Sequence, residues 1–215
     1  MGNILREHGI EPAPDREKKT TWKTFLRAHW EVLGAADFTT VEVWTRSGLV
    51  TYYVLVAMKL FTRRIEIAGL TPNPDTEWVQ QVGRNLTDID NGFLIDTRYL
   101  LLDRDKTFMP FAGVLKSAGM EIVLFPPRSP NLNAYIERCM RTMKSECLNK
   151  MTFFGEKSLR RALIEFAEHY HHERNHQGIE NNIIDFKPRT MSEDDSVRCR
   201  ERLGGMLRYY YRDAA

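Results

Sequence analysis

The sequence predicts a mixed α/β domain, a five-stranded sheet with helices on its faces. Three observations predict it. Runs rich in β-branched and aromatic residues come in series near the start, joined by short connections. The apolar period then lengthens to that of a helix. From there strand-like and helical segments alternate, the pattern of a sheet covered by helices.

The elements follow in order. Residues 1–28 are polar and charged, and two prolines in "EPAPDREKKTTW" break regular structure, so this stretch reads as an arm. A core is predicted over 29–188 and a basic, aromatic tail over 189–215. "HWEVLGAADFTTVEVW", "VTYYVLVAMKL" after the Ser47-Gly48 turn, and "TRRIEIAGL" predict an antiparallel meander. In "PDTEWVQQVGRNLTDI", Trp78, Val82 and Leu86 recur every four residues as one helical stripe, with Asp75 placed to cap it. "RYLLLD" is a fourth strand, "FMPFAGVLKSAG" a short helix closed by Gly119, and "EIVLF" a fifth strand halted by Pro126-Pro127. "NLNAYIERCMRTMKSECLNK" and "EKSLRRALIEFAEHYHHERN" are long helices. Strands four and five are expected to run parallel to strand one.

The bulk numbers narrow the function classes. The chain has 215 residues, 42% hydrophobic and 28% charged, which suits one soluble domain with tails. No run is apolar for about 18 residues, and the start lacks the apolar core of a signal peptide, so a cytoplasmic, non-membrane protein is expected. Cys139, Cys147 and Cys199 form no CxxC pair, which argues for reduced thiols. The histidines of "HYHHERNH" lack the second ligand pair a zinc site wants, and read as a solvated helix end. Trp22, Trp30, Trp44 and Trp78 read as core or arm anchors. A net charge of +2 does not announce nucleic acid, so such a partner has to be argued from local patches.

Three carboxylates carry the chemistry. Asp37 sits inside an apolar run, where burial is costly unless the group is paired or metal-bound. Asp103 ends the fourth strand, as a surface turn or as a ligand. Adjacent strands could set the two side by side, and a divalent cation such as Mg²⁺ would relieve their repulsion. A third carboxylate allows a second ion about 4 Å away, the arrangement that serves phosphoryl transfer. Glu137 is that candidate, early in a helix where a carboxylate is favoured. Arg141 and Lys144 follow at plus four and plus seven on the same face, placed to hold a phosphate backbone.

These residues resemble the catalytic core of retroviral-integrase-like transposases from bacterial insertion sequences. The resemblance rests on "AADFTTVEVW" around Asp37, "LLLDRDKTF" around Asp103 and "PPRSPNLNAYIERCMRTMKSECL" around Glu137, and covers about residues 20 to 187. The third segment is the most specific. "AEHYHHERNHQGIEN" matches loosely, with Tyr170-His171 and Arg174-Asn175-His176 in place of the usual Tyr-Asn and Arg-Pro-His. The resemblance implies a ribonuclease-H-like fold. It implies Asp37, Asp103 and Glu137 as catalytic metal ligands for two Mg²⁺ or Mn²⁺ ions, with Asp105 non-catalytic. It further implies DNA cleavage and strand transfer without a covalent protein–DNA intermediate, and a multimer acting on transposon ends and target DNA.

Arg138, Arg141 and Lys144 are the candidate DNA contacts, in a stretch from Arg138 to Arg161 with seven Lys or Arg and two Glu. The tail, "RCRERLGGMLRYYYR", reads equally as a base-stacking surface or as a strand pairing with another subunit. Full-length relatives carry an upstream helix-turn-helix region, and none is legible before Asp37, so a separate helix-turn-helix protein is a further expected partner. Alternatives are a plain nuclease of the same fold and an inactive fragment that binds DNA or oligomerises.

Overall fold

The structure is a computed structural model that describes residues 22–105, 107–125, 134–186 and 196–212. The chain divides into two compact units, Met1–Trp30 and Glu31–Ala215. In the first, α1 (Trp22–His29) stacks Trp22 on Phe25 at 5.5 Å between ring centroids. It occupies the end of the stretch read as an arm; the prolines of that stretch lie outside the described residues.

The second unit holds the sheet. β1 (Leu33–Thr45), β2 (Gly48–Lys59) and β3 (Ile65–Thr71) form the antiparallel meander. Gly48, at φ 106, supplies the left-handed conformation the β1–β2 turn needs. β4 (Tyr99–Leu102) runs parallel to β1, and β5 (Glu121–Leu124) parallel to β4, giving the order β3-β2-β1-β4-β5. The expected directions of all five strands hold. Beside these five a short further strand, β6 (Phe153–Phe154), pairs in parallel with Val43 and Trp44 at the far end of β1. Two residues are too few to leave an alternation in the sequence.

The helices cover both faces. α2 (Thr76–Leu86) is capped as expected, the Trp78 amide donating to Asp75 Oδ1 at 2.9 Å. α3 (Phe108–Ser117) ends at Gly119, whose φ of 88 turns the chain into β5. Together α2 and α3 bury Val79, Val82, Leu86, Phe111 and Leu115 against Ala36, Leu55, Ala57, Leu100 and Leu102. α4 (Ala134–Glu146) and α5 (Gly155–His172) pack toward β1 and β3. Strand alternation sends Ala35, Asp37, Val56, Met58 and Leu101 to that second side. α4 stops at Glu146, four residues short of the predicted run, and Leu148–Lys150 form a 3-10 turn.

Two expectations are corrected here, for Trp44 and for the histidines. Trp44 is half exposed rather than an anchor, because its side shares a sheet edge with Leu49 and Phe154, both also exposed. The histidines do not form a solvated helix end. His169 and His176 are buried, and His171 Nε2 accepts the Ile65 amide at 3.0 Å. The tail is a hairpin within the chain, β7 (Val197–Arg202) with β8 (Leu207–Arg212). Its anchor is Glu173, buried just past α5: Arg202 Nη2 donates to it at 2.8 Å, Arg200 Nη1 at 3.3 Å, and His169 Nδ1 lies at 3.0 Å. The Leu203 amide donates to Glu165 Oε2 at 3.0 Å.

Candidate active site

Register brings the two aspartates together. Leu33, Gly34 and Ala35 pair with Tyr99, Leu100 and Leu101. Asp37 and Asp103 each lie two residues beyond the last pair of this ladder, Ala35 with Leu101, and Asp103 is close enough to act on the Asp37 carboxyl. β4 stops pairing at Leu102, so Asp103 sits exposed at the strand's carboxyl end, where the sheet opens to ligands. A bulge in the β2–β3 ladder falls between Leu55 and Val56, and Val56 is the partner of Asp37.

The charges behind Asp103 have structural work. Arg104 Nε donates to the Phe125 carbonyl at 2.6 Å and ties the loop to the end of β5. Asp105 Oδ1 accepts the Thr107 amide at 2.8 Å and turns the chain into α3. Both aspartates of the site have the same local geometry. Asp37 Oδ1 accepts the amide of Phe38 at 2.8 Å, and Asp103 Oδ1 that of Arg104 at 2.7 Å. Among the described residues neither Oδ2 has a hydrogen-bond partner.

The third carboxylate comes from the helix. α4 buries Ile136, Cys139, Met140 and Met143, which fixes its rotation. Glu137 and Lys144 are left half-buried and Arg141 exposed on the next sector. The electrostatics of Asp37 register Glu137 and Lys144. Burial pushes its carboxyl up to about 6; the Phe38 amide opposes this, Asp103 and Glu137 add to it, and Lys144 offsets it. Among the described residues none of the three carboxylates is in an ion pair. Nor do three carboxylate, histidine or thiol side chains converge closely enough there to enclose a metal ion.

Arg138 departs from this group. One residue beyond Glu137, it is rotated about 100° away and lines a cavity on the other side of α4. Arg63, Arg174 and His176 line the same cavity, and sequence reasoning singled out none of them as a site. The loose match at Arg174-Asn175-His176 was the available signal; Arg63 had none.

Residues 118–182, from just before β5 through α4 and α5, match the family model "Integrase core domain". Glu137 lies inside that segment; Asp37 and Asp103 lie outside it. No curated protein matches the chain. Among solved structures, the catalytic core domain of BIV integrase is similar at 18% identity over 54% of this chain and 68% of that one, with a TM-score of 0.40. A simian T-cell lymphotropic virus intasome in complex with a PP2A regulatory subunit is similar at 11% identity over 85% of this chain and 67% of that one, TM-score 0.52. The fold is ribonuclease-H-like, a mixed sheet flanked by helices, and its α4–α5 segment is an integrase-core match. No helix among the described residues is long and apolar enough to cross a membrane.

Proposed function

We propose that this chain is the catalytic core of a DDE-type transposase or integrase, a metal-dependent polynucleotidyl transferase that cleaves DNA and transfers the freed strand to a target. One observation carries the reading. Asp103, just past the neighbouring strand, and Glu137, on the helix over it, both act on the buried Asp37 beside Lys144, and among the described residues none of the three is in an ion pair.

The donor set fits a hard divalent cation, Mg²⁺ or Mn²⁺, because every donor is a carboxylate oxygen and each aspartate has one oxygen without a partner among the described residues. Asp37, Asp103 and Glu137 would hold it. When bound, the metal supplies activation of the attacking oxygen and stabilisation of the leaving one. The chain's own residues supply position. Phe38 and Arg104 amides fix the two aspartates, Arg104 holds the loop behind Asp103, and α4 presents Arg141 and Lys144 to a phosphate beside them. No serine or tyrosine nucleophile is required. The similar intasome supports DNA and further copies of this chain as the partners.

Calorimetric titration of Mn²⁺ into the wild type and into Asp103→Asn, without and with branched DNA, tests the metal site. Joining of a recessed 3′ end to target DNA then tests the reaction. Binding and joining in the wild type, both lost in the variant, are expected. A variant that still joins strands would reject the assignment, and cutting without joining would make the protein a nuclease.

A further inference from the structure

The cavity on the reverse side of α4 has a volume of about 390 Å³, within the range of small-ligand sites. Its walls carry three arginines, Arg63, Arg138 and Arg174, and no acidic residue. Two of the three are fixed by other contacts. Arg63 Nη1 donates to the Leu60 carbonyl at 2.8 Å, and its guanidinium lies 4.1 Å from the centre of the Tyr135 ring. Arg174 grips Glu146 through Nε at 3.2 Å and Nη2 at 2.9 Å. Arg138 is exposed and makes no hydrogen bond or ion pair among the described residues.

The surrounding backbone is unusual. Arg63, at φ 62, and Asn181, at φ 61, are both left-handed, a conformation that costs a non-glycine residue free energy and collects at ligand sites. Gly178 lies against the Arg63 guanidinium, where an added Cβ would stand 3.4 Å from Nε and Nη2. Burial lowers the Arg63 guanidinium below its ordinary range, and the Arg138 charge acts in the same direction. Glu146 already meets the Arg174 charge, so the like charges left around this open space are those of Arg63 and Arg138, and an anion would relieve them. Planar guanidinium forks match phosphate oxygens, and the amides of Asn175, Gln177 and Asn181 add neutral donors at the rim.

We propose that this cavity is a phosphate-ester site sized for one nucleotide, separated by the width of α4 from the carboxylates. It uses none of Asp37, Asp103 and Glu137, so it stands whether or not those residues hold a metal. The phosphate could belong to a free nucleotide or to a DNA strand running behind the catalytic helix.

The test is calorimetry on the whole chain in chelator, with no divalent ion. The probes are inorganic phosphate, thymidine 5′-monophosphate and a short 5′-phosphorylated single-stranded oligonucleotide. The wild type is compared with Arg138→Gln and with Arg84→Gln, which removes the same charge from the exposed side of α2. Unfolding temperatures verify that both variants fold. Loss of a charge-assisted phosphate contact should weaken binding about tenfold or more in Arg138→Gln and leave Arg84→Gln within about twofold of wild type. Binding of the mononucleotide identifies a free nucleotide as ligand, and binding of the oligonucleotide alone identifies a strand. No binding of any probe, or equal weakening in both variants, overturns the proposal.

Discussion

The Asp37 carboxylate should destabilise the metal-free fold, and Asp37→Asn should show by how much. Burial and the neighbouring Asp103 and Glu137 raise its carboxyl from 3.8 to about 6. The folded state therefore binds an extra proton between those values. The stability that proton brings is complete below 3.8 and lost as pH rises through 6. A difference of about two pH units is worth about 3 kcal/mol. Asparagine carries no charge to desolvate, yet its side-chain oxygen can still accept the Phe38 amide. In chelator at pH 7.5 the variant should be more stable by about 3 kcal/mol, a rise of about 6–12 °C in Tm for a chain this long. Near pH 4 the two proteins should melt together. Thermal unfolding by circular dichroism at both pH values reads the gap. A variant less stable at pH 7.5, or a gap of equal size at pH 4, would refute the electrostatic account of the site. Added Mn²⁺ should narrow the gap at pH 7.5 by raising the wild type alone.

Three more outcomes are expected. Glu173→Gln takes the buried anion from Arg200 and Arg202 and should cost about 3 kcal/mol in chemical denaturation, with faster tryptic release of the tail hairpin. His171 is half-buried as the neutral ring, pushed down to about 4 first by burial and then by Arg64. Because its folded value lies below the unfolded one, stability should fall as pH drops from 6.5 toward 4. The full shift is about 3 kcal/mol, which screening at a partly exposed ring halves to about 1–2 kcal/mol, and His171→Gln should lose less across that window. Gly69→Ala would set a Cβ 2.7 Å from Trp78 Cζ2, so it should cost about 1–3 kcal/mol and alter the Trp78 fluorescence; an unchanged Tm would mean α2 shifts freely on β3.

The elements most legible in the sequence were those whose apolar pattern is set directly by burial. The α2 stripe Trp78, Val82 and Leu86 repeats because one side of the helix packs on the sheet, and Tyr99–Leu102 of β4 is apolar throughout because both faces are buried. Of the three carboxylates, Asp37 stood out as a charge inside an apolar run, whereas Asp103 and Glu137 were singled out through the resemblance of the segments around them. What escaped depended on pairing between distant residues. β6 exists through its ladder with Val43 and Trp44, 110 positions earlier. The burial of His169 and His176 depends on Glu173, Arg200, Arg202 and the Tyr170 carbonyl, and an i,i+4 His–Glu pair on a helix looks the same in sequence whether solvated or buried. The rotation of α4 was half legible. Its buried side, Ile136, Cys139, Met140 and Met143, leaves Glu137, Arg141 and Lys144 on one sector, whereas adjacency in sequence had grouped Arg138 with them, and a helix separates neighbours by about 100°.

That separation bears on how a chain of net charge +2 can engage a polyanion. The carboxylates that would perform the chemistry repel phosphate, and they stand beside the two cations, Arg141 and Lys144, that would attract it. Unless a divalent ion neutralises the carboxylates, this side of α4 is close to balanced and offers DNA little. The reverse side, with Arg63 and Arg138 in the cavity wall and Arg174 held by Glu146, would attract phosphate without any metal. A strand held there first would arrive at the catalytic side before its charge is favourable. Metal occupancy would then govern cleavage without being needed for capture. On this proposal the two sides of one helix would divide holding from cutting, a division that the whole-chain charge conceals.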